Sequence, residues 1–340
     1  MNHITFCLEK DINDLKAFLN EKWQENHILT QDDSLLNFQH KNKNIYHFVI
    51  SRNEYNKING VLGFIPTFQF DHTLEKDSCV WLAIWKVDED ICSPGLGIVL
   101  IKWLEETLSP KFIGTVGQNF EVNKLYEILG FYTGEMNHYY FADKDCEKYK
   151  IAKNIDKNTI SKISDNALDI RNINFDDIDD DIFICLPTKT KSYVKNRFLK
   201  HPSYNYLFHG IKIKEKLKVL IVARIVNVGN SSCLRIVDMF GSYSDIENYQ
   251  LDLQALVKKY NCEYIDCLNY GIPEKFFTNW GFNLKEGKVI IPEYFEPFIQ
   301  KNKKIYFSYK PKVNQYTVFK ADCDQDRPNI LINKLKEKNE

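Results

Sequence analysis

The sequence predicts an α/β protein made of two tandem copies of one domain, each a mixed, mostly antiparallel sheet with flanking helices. Three observations carry this. Strand-like and helix-like segments alternate from residue 3 to about 141. The same order of strand, strand, helix, strand and short helix returns between residues 218 and 282. And LYEILGF at 125–131 superposes without gaps on FFTNWGF at 276–282, an offset of 151 residues. Self-similarity at that distance reads as duplication of a whole domain, the alternative being two unrelated α/β domains.

The first copy opens with HITFCL, a strand, then INDLKAFLNEKW, a helix. IYHFVISR, GVLGFIPTFQF and CVWLAIWKV follow as strands rich in β-branched and aromatic residues. GIVLIKWLEETL has apolar residues at 97–98, 101, 104 and 108, a helical period. KFIGTVGQ is a strand, EVNKLYEILGF a short helix, and HYYFA an edge strand. Hairpin-joined strands followed by a strand–helix–strand crossover make a mixed sheet. Residues 143–168 are charged and weakly periodic, a linker or a surface crossing that divides the chain into 1–142 and 169–340. NINFDDIDDDIF reads as a solvated helix start. In the second copy KVLIVARIV, SSCLRIVDMF and CEYIDCLNY are strands. SDIENYQLDLQALVKKY is a helix with apolar residues at 246, 249, 253, 256 and 260. IPEKFFTNWGF is a short helix with Pro273 in its first turn.

Composition narrows the function classes. At 340 residues and 44% apolar, the chain can build two cores. A formal charge of -1 supplies no basic field, so a nucleic-acid partner is not expected. No apolar run reaches the roughly 18 residues of a membrane span, and MNHITFCLEKDINDL lacks the pattern of a signal peptide. Nine cysteines, an odd count with no CxxC pair, read as reduced thiols in the cytoplasm, not as disulfides or a zinc site. No metal is expected.

The stretch that carries chemistry is WKVDEDICSPGLGIVLIKWLEE, residues 85–106. A strand runs into a loop with Gly95 and Gly97, and a helix follows at once. The first amides of a helix have no internal partner and its dipole favours negative charge, so such a junction can hold a phosphate. Purely steric turns carry two glycines as well. No Lys-Ser/Thr follows Gly97, which excludes a Walker loop, and the third glycine of a dinucleotide fold is missing.

After one more strand comes NKLYEILGF. Glycine loop at a helix start, strand, then N-x-x-LYE-x-LGF resembles the GNAT acyl-CoA N-acyltransferase superfamily over residues 3 to about 141. The resemblance implies that the backbone of Ile84, Trp85, Lys86 and Val87 binds the pantetheine arm of acyl-CoA. It implies that Ser93, Pro94, Gly95, Leu96, Gly97 and Ile98 hold the pyrophosphate and that Asn119 or Asn123 meets CoA. It makes Tyr126 the acid that protonates the departing thiolate. A phenol suits that task, because its pKa lies near that of the leaving thiol. The alternative is an aromatic that only fills the core. The family usually places Arg or Gln where this loop begins, and here stand Cys92 and Ser93.

In the second copy Tyr126 becomes Phe277, Asn123 becomes Glu274, and SPGLG becomes SDIEN, where Asp245 and Glu247 would repel a pyrophosphate. This copy is expected to keep the fold and lose the cofactor. It would serve either as a wall of the acceptor site or as a structural or dimerising unit. Edges of two such sheets can pair, which leaves a homodimer open. Two stretches outside the repeated elements suggest the wall. KNRFLKHPSYNYLFHGI holds Arg197, His201, Tyr204 and Tyr206, and FKADCDQDRPN holds Asp322, Asp324, Asp326 and Arg327. Arginines suit a diphosphate, rings a base, and carboxylates an amine or sugar hydroxyls. The bland readings are a solvated turn at DQDRP and a structural His201.

These stretches resemble tandem-GNAT proteins of bacterial surface-polysaccharide pathways, including N-acyltransferases for dTDP-3-amino-3,6-dideoxyhexoses. That implies a nucleotide-linked amino sugar as acceptor, acetyl-CoA or 3-hydroxybutyryl-CoA as donor, and Arg235 with the groups above around the substrate. A base is sought in Asp238 or in water. A peptide, lysine or polyamine acceptor, and a non-catalytic module that binds CoA or a sugar, are the competing readings.

Overall fold

The computed structural model describes residues 3–77, 79–312 and 316–331. Two large mixed sheets form its frame. The first has strands in the order His3–Leu8, Ile45–Arg52, Ile58–Pro66, Cys79–Val87, Phe112–Gln118, Tyr306–Lys310 and Tyr132–Glu135. The second runs Asn283–Leu284, Asn137–Ala142, Tyr264–Tyr270, Ser231–Gly241, Lys216–Val228, Leu207–Ile213 and Ile170–Asn172. In the first sheet the central strands are buried along nearly their whole length, because helices cover both faces. One face packs on Leu15, Phe18, Leu35 and Leu36 from helices Ile12–Phe18 and Asp33–His40. The other packs on Leu100, Ile101 and Leu104 of helix Leu96–Leu108.

Each half lends a strand to the other. Asn137–Ala142 lies in the second sheet, between Asn283–Leu284 and Tyr264–Tyr270, while Tyr306–Lys310 lies in the first, between Phe112–Gln118 and Tyr132–Glu135. HYYFA is therefore not an edge strand of the first sheet. The expected division at residue 142 falls at the end of a strand that belongs to the second. Buried polar contacts tie both lent strands in place. His138 Nε2 meets Asp266 at 2.9 Å, and Gln118 Nε2 donates to Ser308 Oγ at 2.6 Å. The apolar cluster of Trp81, Phe112, Val116, Leu268, Phe307, Tyr309 and Val318 draws on both halves, so the seam is itself a core.

Two local expectations are corrected. Helix 244–260 is much shorter, a 3₁₀ turn at Tyr243–Ile246 and then a helix at Leu253–Lys259. Asp252 starts that helix late by accepting a hydrogen bond from the Ala255 amide at 2.9 Å. NINFDDIDDDIF forms two 3₁₀ turns, Phe175–Asp177 and Asp180–Ile182, that bury Phe175, Ile178 and Ile182. Residues 143–168 cross the surface as a packed segment. Ile151 and Ala152 are buried, and the Glu263 carboxylate accepts from the amides of Lys150, Ile151 and Ala152.

Candidate functional site: a splayed strand pair with a glycine loop

Strands Cys79–Val87 and Phe112–Gln118 run parallel and pair only at Cys79–Phe112, Val80–Ile113 and Trp81–Gly114. Beyond Trp81 and Gly114 they part, and a wedge opens between them. On its other side Cys79–Val87 carries a bulge, where Leu62 pairs with Trp85 but Phe64 with Leu82. The extra residue reverses which face each side chain meets. Val80 and Leu82 pack with helix Leu96–Leu108, whereas Ile84 turns to the opposite core and Trp85 returns to the helix side. Trp85 then donates from Nε1 to the Gly97 carbonyl at 3.1 Å.

The loop fits an anion for a specific reason. Gly95 caps the helix at φ +81°, a conformation that L residues rarely adopt. A side chain at Gly97 would put its Cβ 2.8 Å from Trp85 Nε1. Pro94 has no N–H, and the Leu96 amide donates to the Ser93 carbonyl at 3.1 Å. The amides of Gly95, Gly97 and Ile98 have no backbone acceptor among the described residues, and Val99 is the first amide to join the helix ladder, onto Gly95. Three donors thus converge at the positive end of a 13-residue helix. Ser93 is exposed beside them.

Tyr126, on helix Asn123–Ile128, is buried at the wedge. Its ring packs on Trp85 at 5.7 Å and Phe131 at 5.0 Å. Burial pushes its phenol well above the ordinary tyrosine range, and its neighbours are the Thr115 hydroxyl and the Cys323 thiol. Burial thus keeps it protonated and makes it a weaker acid than a free phenol. Asn123 accepts from Gln118 Nε2 at 3.3 Å, while Asn119 is exposed, its carbonyl taking the Val122 amide. Ile84 is buried, and Lys86 reaches out to Glu89.

The residues expected around the acceptor mostly engage other groups of the protein. Arg235 grips Asp266 with Nε at 3.1 Å and Nη2 at 2.5 Å and donates to the carbonyls of Pro292 and Glu293, so it is not free for a diphosphate. Arg197 is buried among Phe38, Phe70 and Phe198 and donates to the Ala321 carbonyl at 3.4 Å. His201 accepts the amides of Ser203 and Tyr204 at Nδ1, the structural role. Burial drives its pKa down to about 3. Tyr206 donates to Asp326 at 2.7 Å. Asp324 pairs with Arg327 at 3.2 Å. Asp238 accepts Lys189 at 2.7 Å on one oxygen and the Met239 amide at 2.9 Å on the other. Lys189 also holds Asp322 at 2.8 Å. Burial pushes the Asp238 carboxyl up to about 7 against the pull of Lys189. Asp238 is buried with one hydrogen bond on each oxygen, an anchored position inside the second half.

What remains open at the seam is a polar cavity of about 180 Å³ lined by Trp23, His27, Tyr204, Arg224, Glu293, Glu296, Gln325 and Arg327. It adjoins a groove of about 810 Å³, with which it shares Tyr204, Arg224, Phe295 and Glu296. Arg224, Glu293 and Glu296 were missed in the sequence, because no motif surrounds them, and Gln325 was passed over among the charged residues of FKADCDQDRPN. Among the described residues no group of three His, Cys, Asp or Glu could hold a metal, and no helix is long and apolar enough to cross a membrane.

No protein-family model matches this sequence. No curated protein matches it either. Solved structures do match in fold. A GCN5-related N-acetyltransferase from Anabaena variabilis ATCC 29413 aligns over 91% of this chain and 72% of its own, at 11% identity and a TM-score of 0.54. The chain has the GNAT fold. A conserved protein of unknown function from Enterococcus faecalis V583, described as a probable N-acyltransferase, aligns over 91% and 72% at 10% identity and a TM-score of 0.51.

Proposed function

We propose that the protein is an acyl-CoA-dependent N-acyltransferase whose chemistry lies entirely in the first half. The observation that carries this is the wedge beyond Trp81 and Gly114, leading into the three acceptor-free amides at Gly95, Gly97 and Ile98. The amides take the pyrophosphate, and the unpaired edge of Leu82–Val87 takes the pantetheine arm. The amine attacks the thioester carbonyl, the C–S bond breaks, and Tyr126 delivers its proton to sulfur. The products are the amide and free CoA. The amine loses its proton to water, and Tyr126 recovers one from solvent to close the cycle; a sugar amine that titrates near neutrality needs no strong base.

The acceptor is, in this proposal, a nucleotide-linked aminodeoxy sugar, dTDP-linked by the resemblance of the sequence. Support comes from two adjoining spaces of unequal size. The polar cavity, bounded by Gln325 on the wedge side, suits an amino sugar, and the 810 Å³ groove has room for a nucleotide beside Tyr204, Tyr260 and Phe295. The test is release of CoA with a dTDP-amino sugar, the free amino sugar and a peptide amine at equal concentration. Turnover of the dTDP-sugar well above both others is expected. Equal turnover of the peptide moves the acceptor to the peptide class. The absence of CoA binding removes the enzyme reading altogether.

A further inference from the structure

The narrow end of the wedge is closed by a residue from the far end of the chain. Where pairing stops, the Leu82 carbonyl and the Val116 amide lose their ladder partners. Cys323 supplies both. Its Sγ donates to the Leu82 carbonyl at 3.0 Å and lies against the Val116 N–H. The Gln325 side chain then covers Gly117, where an added Cβ would fall 2.2 Å from its amide carbon.

This closure is fixed from behind. Cys323 has φ +62°, a left-handed conformation uncommon for a residue with a side chain. The chain before it is tied by Ala321 N to the Val237 carbonyl at 3.1 Å and by the Phe319 amide to Asp322 at 2.8 Å. Asp322 in turn is paired with buried Lys189.

We propose that Cys323 sets the length of acyl group that this site accepts: acetyl or 3-hydroxybutyryl fits, and a long chain such as octanoyl does not. The proposal rests on the acyltransferase reading. From the glycine loop the pantetheine arm must run back along the strand from Val87 to Leu82, about 17 Å at strand spacing. That brings the thioester beside Tyr126, which has Cys323 as a neighbour. The carbons beyond the thioester point into the vertex, and there they meet the thiol. In a cleft of fixed depth each surplus methylene is rejected sharply.

The experiment is calorimetric titration of the full chain with CoA, acetyl-CoA and octanoyl-CoA, which needs no knowledge of the acceptor. The wild type should bind octanoyl-CoA at least about tenfold more weakly than acetyl-CoA. Cys323→Gly tolerates the left-handed backbone and removes the thiol, which frees room for about two heavy atoms, so it should narrow that difference measurably. Cys323→Ser, which keeps a small bridging group, should preserve it. Equal binding of the two thioesters by the wild type overturns the proposal. So does a folded Cys323→Gly protein that still binds CoA and keeps the wild-type ratio. If Cys323→Gly does not fold, the wild-type series decides alone. If CoA itself does not bind, the acyltransferase reading falls and this inference with it, so the two failures can be told apart.

Discussion

The two halves contain the same wedge and use it in opposite ways. In the first, three parallel pairs end at Trp81 and Gly114, and side chains alone, the Cys323 thiol and the Gln325 amide, enter the gap from the far end of the described chain. In the second, three parallel pairs end at Ile236 and Cys267. There the chain itself fills the gap. Val318 and Phe319 pair with Tyr270 and Asn269, and the Ala321 amide takes the Val237 carbonyl. A strand provides in the second half the backbone contacts that a pantetheine arm would provide in the first. The loops diverged with the wedges. The second has a 3₁₀ turn at Tyr243–Ile246 in place of a helix start, and its acids are paired, Asp245 with Lys218 and Glu247 with Lys275. Phe277, in the place of Tyr126, is stacked on Tyr139 at 4.0 Å. In the second half a strand, two lysines and Tyr139 thus stand against the positions that are open in the first.

The comparison can be broken most completely by separating the halves. Because each sheet holds a strand of the other, residues 1–142 alone lack Tyr306–Lys310 and should give no cooperative melting transition by circular dichroism. Co-expressed fragments 1–168 and 169–340 should recover one. A native-like melt of 1–142 alone would show that the exchange is dispensable.

Acid should next expose what the halves share. Burial drives His27 and His47 down to about 3 and His40 to about 4 in the first half, and His201 to about 3 and His209 to about 4 in the second. The unfolded chain takes up these protons near 6.5, and the folded chain refuses them until pH 3–4. Stability is therefore complete above pH 6.5 and falls as the pH drops below it, by about 1.4 kcal/mol per histidine per pH unit. Urea midpoints measured from pH 7.5 to 4.5 should fall throughout in a single transition. A flat profile would mean that these rings are wet.

Within the first wedge, Tyr126→Phe copies the change already present at Phe277. It should lower kcat by about a hundredfold with donor affinity nearly unchanged. Activity within threefold of wild type would return Tyr126 to a packing role. The smallest effect concerns the loop. Gly97→Asp would confuse charge with the Trp85 contact, so the cleaner variant is Ser93→Asp, at an exposed position. It should weaken CoA binding about tenfold, near 1.4 kcal/mol. Asp245→Ser, at the matching loop of the second half, should not create a second CoA site. Two CoA per chain in that variant would contradict the filled wedge.

Much of this was legible in the chain as written. The duplication, the strand–loop–helix at 85–108 and the loss of Tyr126 and both glycines from the second copy are local patterns, and local patterns survive in sequence. The helix expected at 244–260 failed because apolar spacing cannot see a cap, and Asp252 restarts the helix late. The acceptor residues were picked by type, but type does not say whether a charge is free. Arg235, Asp238 and Asp322 had partners already, and a buried charge without one is too costly to keep.

By itself, then, the sequence determined two copies of one fold, one of them with a glycine loop at a helix start. Only the tertiary structure decided how the copies interlock, which wedge stays open and what closes it. Strand exchange and the 241-residue step from Leu82 to Cys323 depend on pairing between distant segments. That pairing is set by which backbone groups are left unsatisfied when two strands diverge, and a linear pattern does not record it.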